Sequence, residues 1–173
     1  MEYTACITDD ADWKPADPYT VPVYAPSVRC FPKKIALDVV SFPFANLNDQ
    51  TAQFIRTLPE AQERPTYCAI FALDPFTQWK ALLDLVGNAG IRGICNFPPL
   101  PRFGKQEQEA LEASGFSFER ELELLGEIAS RGFDIAVMCN SRGDVRQARD
   151  RLDGLTRVFC LVPKSTLHRP ADP

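Results

Sequence analysis

Residues 65–98 decide the fold of this chain. They read Pro65-Thr66-Tyr67-Cys68-Ala69-Ile70-Phe71-Ala72-Leu73, then Asp74-Pro75-Phe76 and a helical run, then Ile91-Arg92-Gly93-Ile94-Cys95-Asn96-Phe97-Pro98. Continuous apolar strands that are separated by amphipathic helices are typical of a parallel sheet buried on both faces. The stretch therefore predicts two βα units of an α/β fold, in which functional groups collect at the carboxyl ends of the strands.

The same alternation continues on both sides of this stretch. Strands are predicted at residues 35–40, 66–73, 91–98, 134–140 and 157–163, and a further short strand can form at 21–24. Helices are predicted at 48–58, from Asp74 to about Gly87, at 105–113, at 118–130 and at 144–152. Asp74 is a good helix N-cap and Pro75 suits the first helical position. The sequence thus predicts a parallel sheet of five to six strands with flanking helices.

Composition divides the chain into three segments and excludes several functions. Residues 1–32 are Pro-rich and are expected to be irregular, residues 33–163 form the α/β domain, and residues 164–173 are a polar tail. The charge balance is 19 Lys+Arg against 23 Asp+Glu, without a basic cluster that would bind nucleic acid. No apolar run approaches the ~20 residues that span a bilayer, and no signal peptide is visible, so we expect a cytoplasmic protein.

The pattern of the six cysteines does not indicate a zinc site, and four of the six are predicted to be packing residues. None forms a Cys-x-x-Cys pair, and His168 is the single histidine, which disfavours a zinc site. Four of the cysteines lie inside predicted strands, where a thiol behaves as a small apolar side chain: Cys68, Cys95, Cys139 and Cys160.

Two carboxylates are candidates for acid/base catalysis. At about 100° per residue, Glu121 falls within the apolar arc of its helix, which is formed by Phe118, Leu122, Leu125, Ile128 and Ala129. A carboxyl group that faces the sheet needs a partner or a raised pKa; a helix-dipole or capping interaction is the alternative. Asp38 is isolated in the apolar strand 35–40, which suggests a polar cavity or, alternatively, a structural salt bridge.

Four further residues are candidates for substrate binding. Asn96 and Asn140 stand where two strands leave the sheet, so their amides could orient a carbonyl or carboxylate group or could simply stabilise turns. Asp74 follows the strand 66–73, and helix capping explains it equally. Arg102 lies in a proline-rich loop, where it could bind an anionic group or be exposed.

These motifs resemble one known family. The run Ala69-Ile70-Phe71-Ala72-Leu73-Asp74-Pro75-Phe76, then Gly93-Ile94-Cys95-Asn96-Phe97-Pro98, then residues 111–123, is similar to the phosphoenolpyruvate hydrolase-like TIM-barrel family. That family is related at fold level to phosphoenolpyruvate mutases and indole-glycerol-phosphate synthase. The resemblance covers residues 33–163 and implies a TIM-barrel-like fold. One departure is the loop 100–104, which lacks the aspartate of the family's Ile-Asp-Gly turn.

The resemblance also implies that the barrel is incomplete. A full barrel has eight βα units and ~250 residues, whereas this chain has 173 and ends after the strand 157–163. An incomplete barrel leaves an open sheet edge whose unpaired N–H and C=O groups attract another chain. We therefore expect a homodimer that covers this edge.

Two functions remain open. The first is a small-molecule metabolic enzyme, a lyase, hydrolase or cyclase that uses acid/base chemistry on a carbonyl-containing substrate at the strand ends. The second is a non-catalytic ligand-binding or protein-interaction module derived from such an enzyme. A flavodoxin-like domain has little support because no Gly-rich phosphate loop follows the first strand. No nucleotide or flavin motif is present, the cofactor is unknown, and carboxylates with amides could hold Mg²⁺.

Overall fold

The computed structural model describes residues 3–30, 46–59, 67–153 and 158–163. These residues contain six β-strands: β1 (Tyr3–Thr8), β2 (Thr20–Tyr24), β3 (Tyr67–Ile70), β4 (Gly93–Asn96), β5 (Asp134–Met138) and β6 (Val158–Pro163). They also contain five α-helices: α1 (Leu47–Arg56), α2 (Trp79–Asn88), α3 (Lys105–Ala113), α4 (Phe118–Ser130) and α5 (Arg142–Arg151). The predicted strand 35–40, with Asp38, lies outside the described residues.

The six described strands form a parallel ring. Each strand pairs with the next one in the chain, and β1 pairs with β6, for example Thr4 with Val162. The ring has two strands fewer than a TIM barrel, which confirms an incomplete TIM-barrel-like α/β fold with flanking helices. The expected open edge is wrong, because the outer strands β1 and β6 hydrogen-bond to each other.

The N-terminal segment supplies two of these strands. Residues 1–32 were expected to be irregular apart from a possible strand at 21–24, which β2 confirms. The strand β1 was not expected, and it lies next to β2 in the ring. The prolines in this segment break helices, but the apolar and β-branched run from Tyr3 to Thr8 carries no proline and pairs as a strand. The predicted boundary at residue 33 and the tail 164–173 lie outside the described residues.

The helix after β3 begins later than predicted. Asp74 was expected to cap it, but α2 starts at Trp79, and the Asp74 carboxylate accepts hydrogen bonds from Phe76 N–H and Thr77 Oγ1–H instead. Asp74 therefore closes a local turn of the kind that aspartate favours. Phe76 lies in that turn and is 85% exposed.

The apolar core has two layers because successive residues of a strand face opposite sides. Residues inside the ring form one cluster, which comprises Ala5, Ile7, Val23, Ala25, Val28, Tyr67, Ala69, Cys95, Phe97, Ala136 and Met138. The alternate residues, including Cys68, Ile94 and Val137, pack against the helices in the other cluster. Cys68, Cys95 and Cys139 are each buried, which confirms that they pack in the core; the Cys160 side chain is not among those described. Over the described residues, no helix combines the length and the apolarity that crossing a bilayer requires.

Candidate functional site

Glu121 is held in the first turn of α4 by the sequence around it. Ser117 precedes the helix in an extended conformation, and its hydroxyl accepts a hydrogen bond from Arg120 N–H, which fixes where the helix begins. The apolar face of α4 packs against β4 and β5, and Glu121 lies on that face with no exposed surface. The prediction that Glu121 lies within the apolar arc of its helix and faces the sheet is therefore confirmed.

Each oxygen of Glu121 accepts one hydrogen bond from the protein. Leu100 N–H donates to Oε1 at 2.9 Å, and Asn96 Nδ2 donates to Oε2 at 2.8 Å. The other arm of the same amide, Asn96 Oδ1, accepts from Met138 N–H at 2.8 Å. Glu121 and Asn96 thus form a polar bridge that joins α4, the loop after β4 and the end of β5.

Burial changes the acid strength of this carboxyl group. Burial raises the pKa of Glu121 to about 8, from an ordinary value of 4.5, while the hydrogen bonds from Asn96 and Leu100 act in the opposite direction. Within the described residues, no basic side chain pairs with Glu121. A carboxyl group with a pKa near neutral pH can both release and accept a proton there, which suits acid/base chemistry.

The bridge lies between the sheet and the helices rather than inside the ring. Asn96 follows Cys95 and precedes Phe97, and both of these side chains belong to the inner cluster, so the Asn96 side chain points to the helix side. At the carboxyl end of the ring, the inner cluster includes Val28, Phe97 and Met138, and Asp9, which follows β1, is also buried. Chemistry by Glu121 would therefore take place beside the ring, against α4.

The loop at residues 97–104 covers this bridge. Phe97 N–H donates to Ile70 O at 2.8 Å, and Asn140 Nδ2 donates to Pro101 O at 2.8 Å. Gln108 Nε2 from α3 donates to Phe103 O at 2.6 Å. Together with the hydrogen bond from Leu100 to Glu121, these contacts hold the loop closed over the carboxyl group.

The structure brings only two of the predicted site residues within its described part into direct contact. Asn96 and Glu121 contact each other, whereas Asn140 is exposed and reaches the covering loop through Pro101. Arg102 is half-buried in the same loop, in a short 3₁₀ helix. Asp74 stabilises its own turn after β3 and makes no hydrogen bond to Asn96 or Glu121. The catalytic and binding roles of these residues, like that of Asp38 outside the described residues, stay predictions.

A buried asparagine was missed by the sequence analysis. Asn48 in α1 is 2% exposed, accepts from Phe71 N–H at 2.8 Å and donates to Phe71 O at 2.9 Å. It also donates to Thr77 Oγ1, which in turn bonds Asp74, so it anchors the loop after β3. The available signal was the one that identified Glu121: a polar residue among the apolar positions of its helix, here beside Leu47 and Ile55.

The bridge does not fit a divalent cation. Both oxygens of Glu121 and the oxygen of Asn96 face N–H donors, whereas Mg²⁺ requires free oxygen ligands in octahedral geometry. Across the described residues, no group of three or more His, Cys, Asp or Glu side chains is arranged to hold a metal ion.

Comparison with known proteins gives two matches. The model of the family described as phosphoenolpyruvate hydrolase-like matches residues 37–149, which is more than half of the chain. The uncharacterized protein y4oT of Sinorhizobium fredii is 27% identical over 112 residues, covering 64% of this chain and 56% of the relative. The chain thus spans little more than half the length of that relative. The family match and the parallel βα ring indicate a TIM-barrel enzyme-like domain.

Proposed function

The chain belongs to the phosphoenolpyruvate hydrolase-like family, and on that basis we propose that it is a small-molecule metabolic enzyme. It acts as a lyase, hydrolase or cyclase on a carbonyl-containing substrate at the carboxyl ends of the strands. Glu121 is the general acid or base of this reaction. The observation that supports the proposal is one buried carboxyl group, at the strand ends, whose pKa is raised to about 8.

Acid strength supports this role because a general acid or base works best when its pKa lies near the operating pH. An exposed glutamate remains ionised at pH 7 and is a weak base, whereas burial shifts Glu121 into the useful range. Acid and base forms are then both populated near neutral pH. Asn96 keeps the carboxyl group in one position, which favours a proton transfer in a defined direction.

Catalysis by Glu121 requires the covering loop to move. Leu100 is 1% exposed, and its N–H occupies Oε1, so a substrate reaches that oxygen when residues 98–103 swing outward. The loop is held by hydrogen bonds from Asn140 and Gln108 to backbone carbonyls. Each of these hydrogen bonds contributes about 1 kcal/mol. Opening also exposes the buried side chains of Leu100 and Phe103, at about 1.5–3 kcal/mol each, so the open loop is a minor conformation.

A specific observation favours the second candidate, a non-catalytic binding or interaction module. Both oxygens of Glu121 and both ends of the Asn96 amide already form hydrogen bonds with protein groups. A purely structural bridge has the same appearance. The two candidates differ in whether a reaction depends on the titrating group of Glu121.

The test is a substrate screen with matched variants. Purified wild-type protein is incubated with phosphoenolpyruvate, 2-oxo acids and 1,3-dicarbonyl compounds, and products are detected by NMR. On any substrate that is converted, Glu121→Gln should lower turnover by about 10²-fold or more. Glu119→Gln, an exposed first-turn glutamate of the same helix, should leave turnover unchanged.

Two outcomes would contradict the proposal. Wild-type turnover in folded Glu121→Gln would remove the acid/base role, and conversion of no compound in the screen would favour the binding module. A melting temperature is recorded for each variant, because the introduced amide presents an N–H to a site that already supplies two donors.

A further inference from the structure

We infer, building on the proposed role of Glu121, that Asn96 is a positioning residue whose amide holds Glu121 Oε2 and controls how readily the carboxyl group takes up a proton. The sequence analysis predicted that Asn96 contacts substrate. The geometry assigns it a different task, because both arms of its amide are occupied by Glu121 and by Met138 N–H.

The orientation of the amide is fixed by its two partners. Met138 N–H is a donor, so it selects the oxygen of Asn96 and leaves the NH₂ group to face Glu121 at 2.8 Å. Turning the amide over would place NH₂ against N–H at β5 and a carbonyl oxygen against the carboxylate. Both contacts would be repulsive, so β5 imposes the orientation in which Asn96 donates to Glu121.

The surroundings make this single donor important. Asn96 has no exposed surface, and in the described part of the chain it is the one side chain that donates to Glu121. The donor favours the ionised form of Glu121, in opposition to burial. Without it, one oxygen of a buried carboxylate would lose its hydrogen bond, and the protonated form would be favoured further.

Other titratable groups on the packed elements do not replace this contact. The Cys68 thiol on β3 has its pKa raised by burial to about 12, and burial also raises the pKa of Cys95 on β4. Both thiols are therefore neutral while Glu121 titrates. Cys139 after β5 is buried, and Arg102 in the covering loop is half-buried; neither forms an ion pair with Glu121.

The first test uses wild-type protein and needs no substrate. Glu121 is followed through its ¹³C-labelled carboxyl group and Asn96 through its side-chain amide in an NMR titration from pH 5 to about 9. If Asn96 donates to Glu121, its amide protons should shift with the same midpoint as the carboxyl group. Asn48 is the matched control, because it is also buried but binds backbone groups of Phe71 and the Thr77 hydroxyl.

The second test removes the donor. Asn96→Ala should raise the pKa of Glu121 by about one unit or more, whereas Asn48→Ala should leave it unchanged. An unchanged Glu121 midpoint in folded Asn96→Ala would overturn the inference. If that variant does not fold, the wild-type titration decides alone. Amide protons of Asn96 whose chemical shifts do not change at the titration midpoint of Glu121 would then overturn the inference.

Failure of this inference and failure of the proposed function give different results. Joint titration of Asn96 and Glu121, with full turnover in Glu121→Gln, would keep the positioning contact and reject the catalytic role. Independent titration, with turnover lost in Glu121→Gln, would keep the catalytic role and reject the contact. If both hold, Asn96→Ala should also move the pH–rate profile upward with the Glu121 midpoint.

Discussion

Exchanging the amide and the carboxyl group of the Asn96–Glu121 pair should restore stability that a single exchange removes. Glu121→Gln retains the length of the side chain but converts one acceptor into a donor. The site offers two N–H donors, from Leu100 and Asn96, and Met138 N–H prevents the Asn96 amide from turning over. One N–H must then face another N–H in a dry environment.

The size of the effect follows from the burial of both side chains. Glu121 and Asn96 have no exposed surface, so an unsatisfied donor in Glu121→Gln costs about 1–3 kcal/mol. Asn96→Asp places a second carboxyl group against Glu121, which requires at least one bound proton. In Asn96→Asp/Glu121→Gln every donor meets an acceptor again. We therefore expect a favourable coupling of about 1–3 kcal/mol between the two substitutions.

Urea unfolding at about pH 9.5, where Glu121 is ionised and accepts both hydrogen bonds, is followed by circular dichroism and measures the four free energies of this cycle. The control cycle uses Glu119→Gln and Asn140→Asp, which carry the same chemical changes at exposed positions without a shared contact. That cycle should be additive. Additive losses at Asn96 and Glu121 would refute the reasoning, because they would show that the two side chains do not share a hydrogen bond.

Three further predictions concern acid, thiol and association behaviour. The pKa of Glu121 is about 8 in the folded chain against 4.5 ordinarily, so the folded state binds this proton more tightly than the unfolded state. The contribution of the bound proton to the free energy of unfolding is complete below pH 4.5 and falls by on the order of 4 kcal/mol as pH rises to 8. In urea unfolding, Glu121→Gln should lack this dependence on pH. Cys68 and Cys95 should react with a thiol reagent far more slowly than exposed Cys30, as mass spectrometry would show; fast labelling of Cys95 would reject the packing role. The homodimer stays a prediction, but β1 and β6 close the sheet edge, so we now assign its interface to the surface around exposed Phe76. Sedimentation should show a dimer that Phe76→Ser weakens; a monomer at high micromolar concentration would contradict it.

Much of the fold was predictable because its signals are local. The strands β3, β4 and β5 are short apolar runs, and α4 has an apolar arc and a serine cap, so each appears in the residues themselves. The strand β1 was missed because neighbouring prolines and aspartates resemble a loop, and its pairing with β6 joins the two ends of the described chain. Closure of the ring is a long-range property, and no local pattern reports it.

The candidate site was predictable in part for the same reason. The helical arc located the Glu121 side chain, because a helix fixes the direction of every side chain relative to its neighbours. Two of the donors that surround the pair are backbone groups, Leu100 N–H and Met138 N–H, and the sequence carries no signal for them. Whether the Asn96 side chain faces the helices or the ring interior also depends on the register of β4, because a shift of one residue turns each side chain to the other face of the sheet.

The measurement that tests the central claim most directly is the turnover of Asn96→Asp/Glu121→Gln on a substrate that the wild-type protein converts. This variant keeps one carboxyl group and one amide, and its hydrogen bonds are complete, but the carboxyl group has moved from α4 to β4. If Glu121 is the general acid or base, turnover should fall by about 10²-fold or more while the melting temperature stays near the wild-type value. Wild-type turnover in this folded variant would show that the bridge is structural and would contradict the claim.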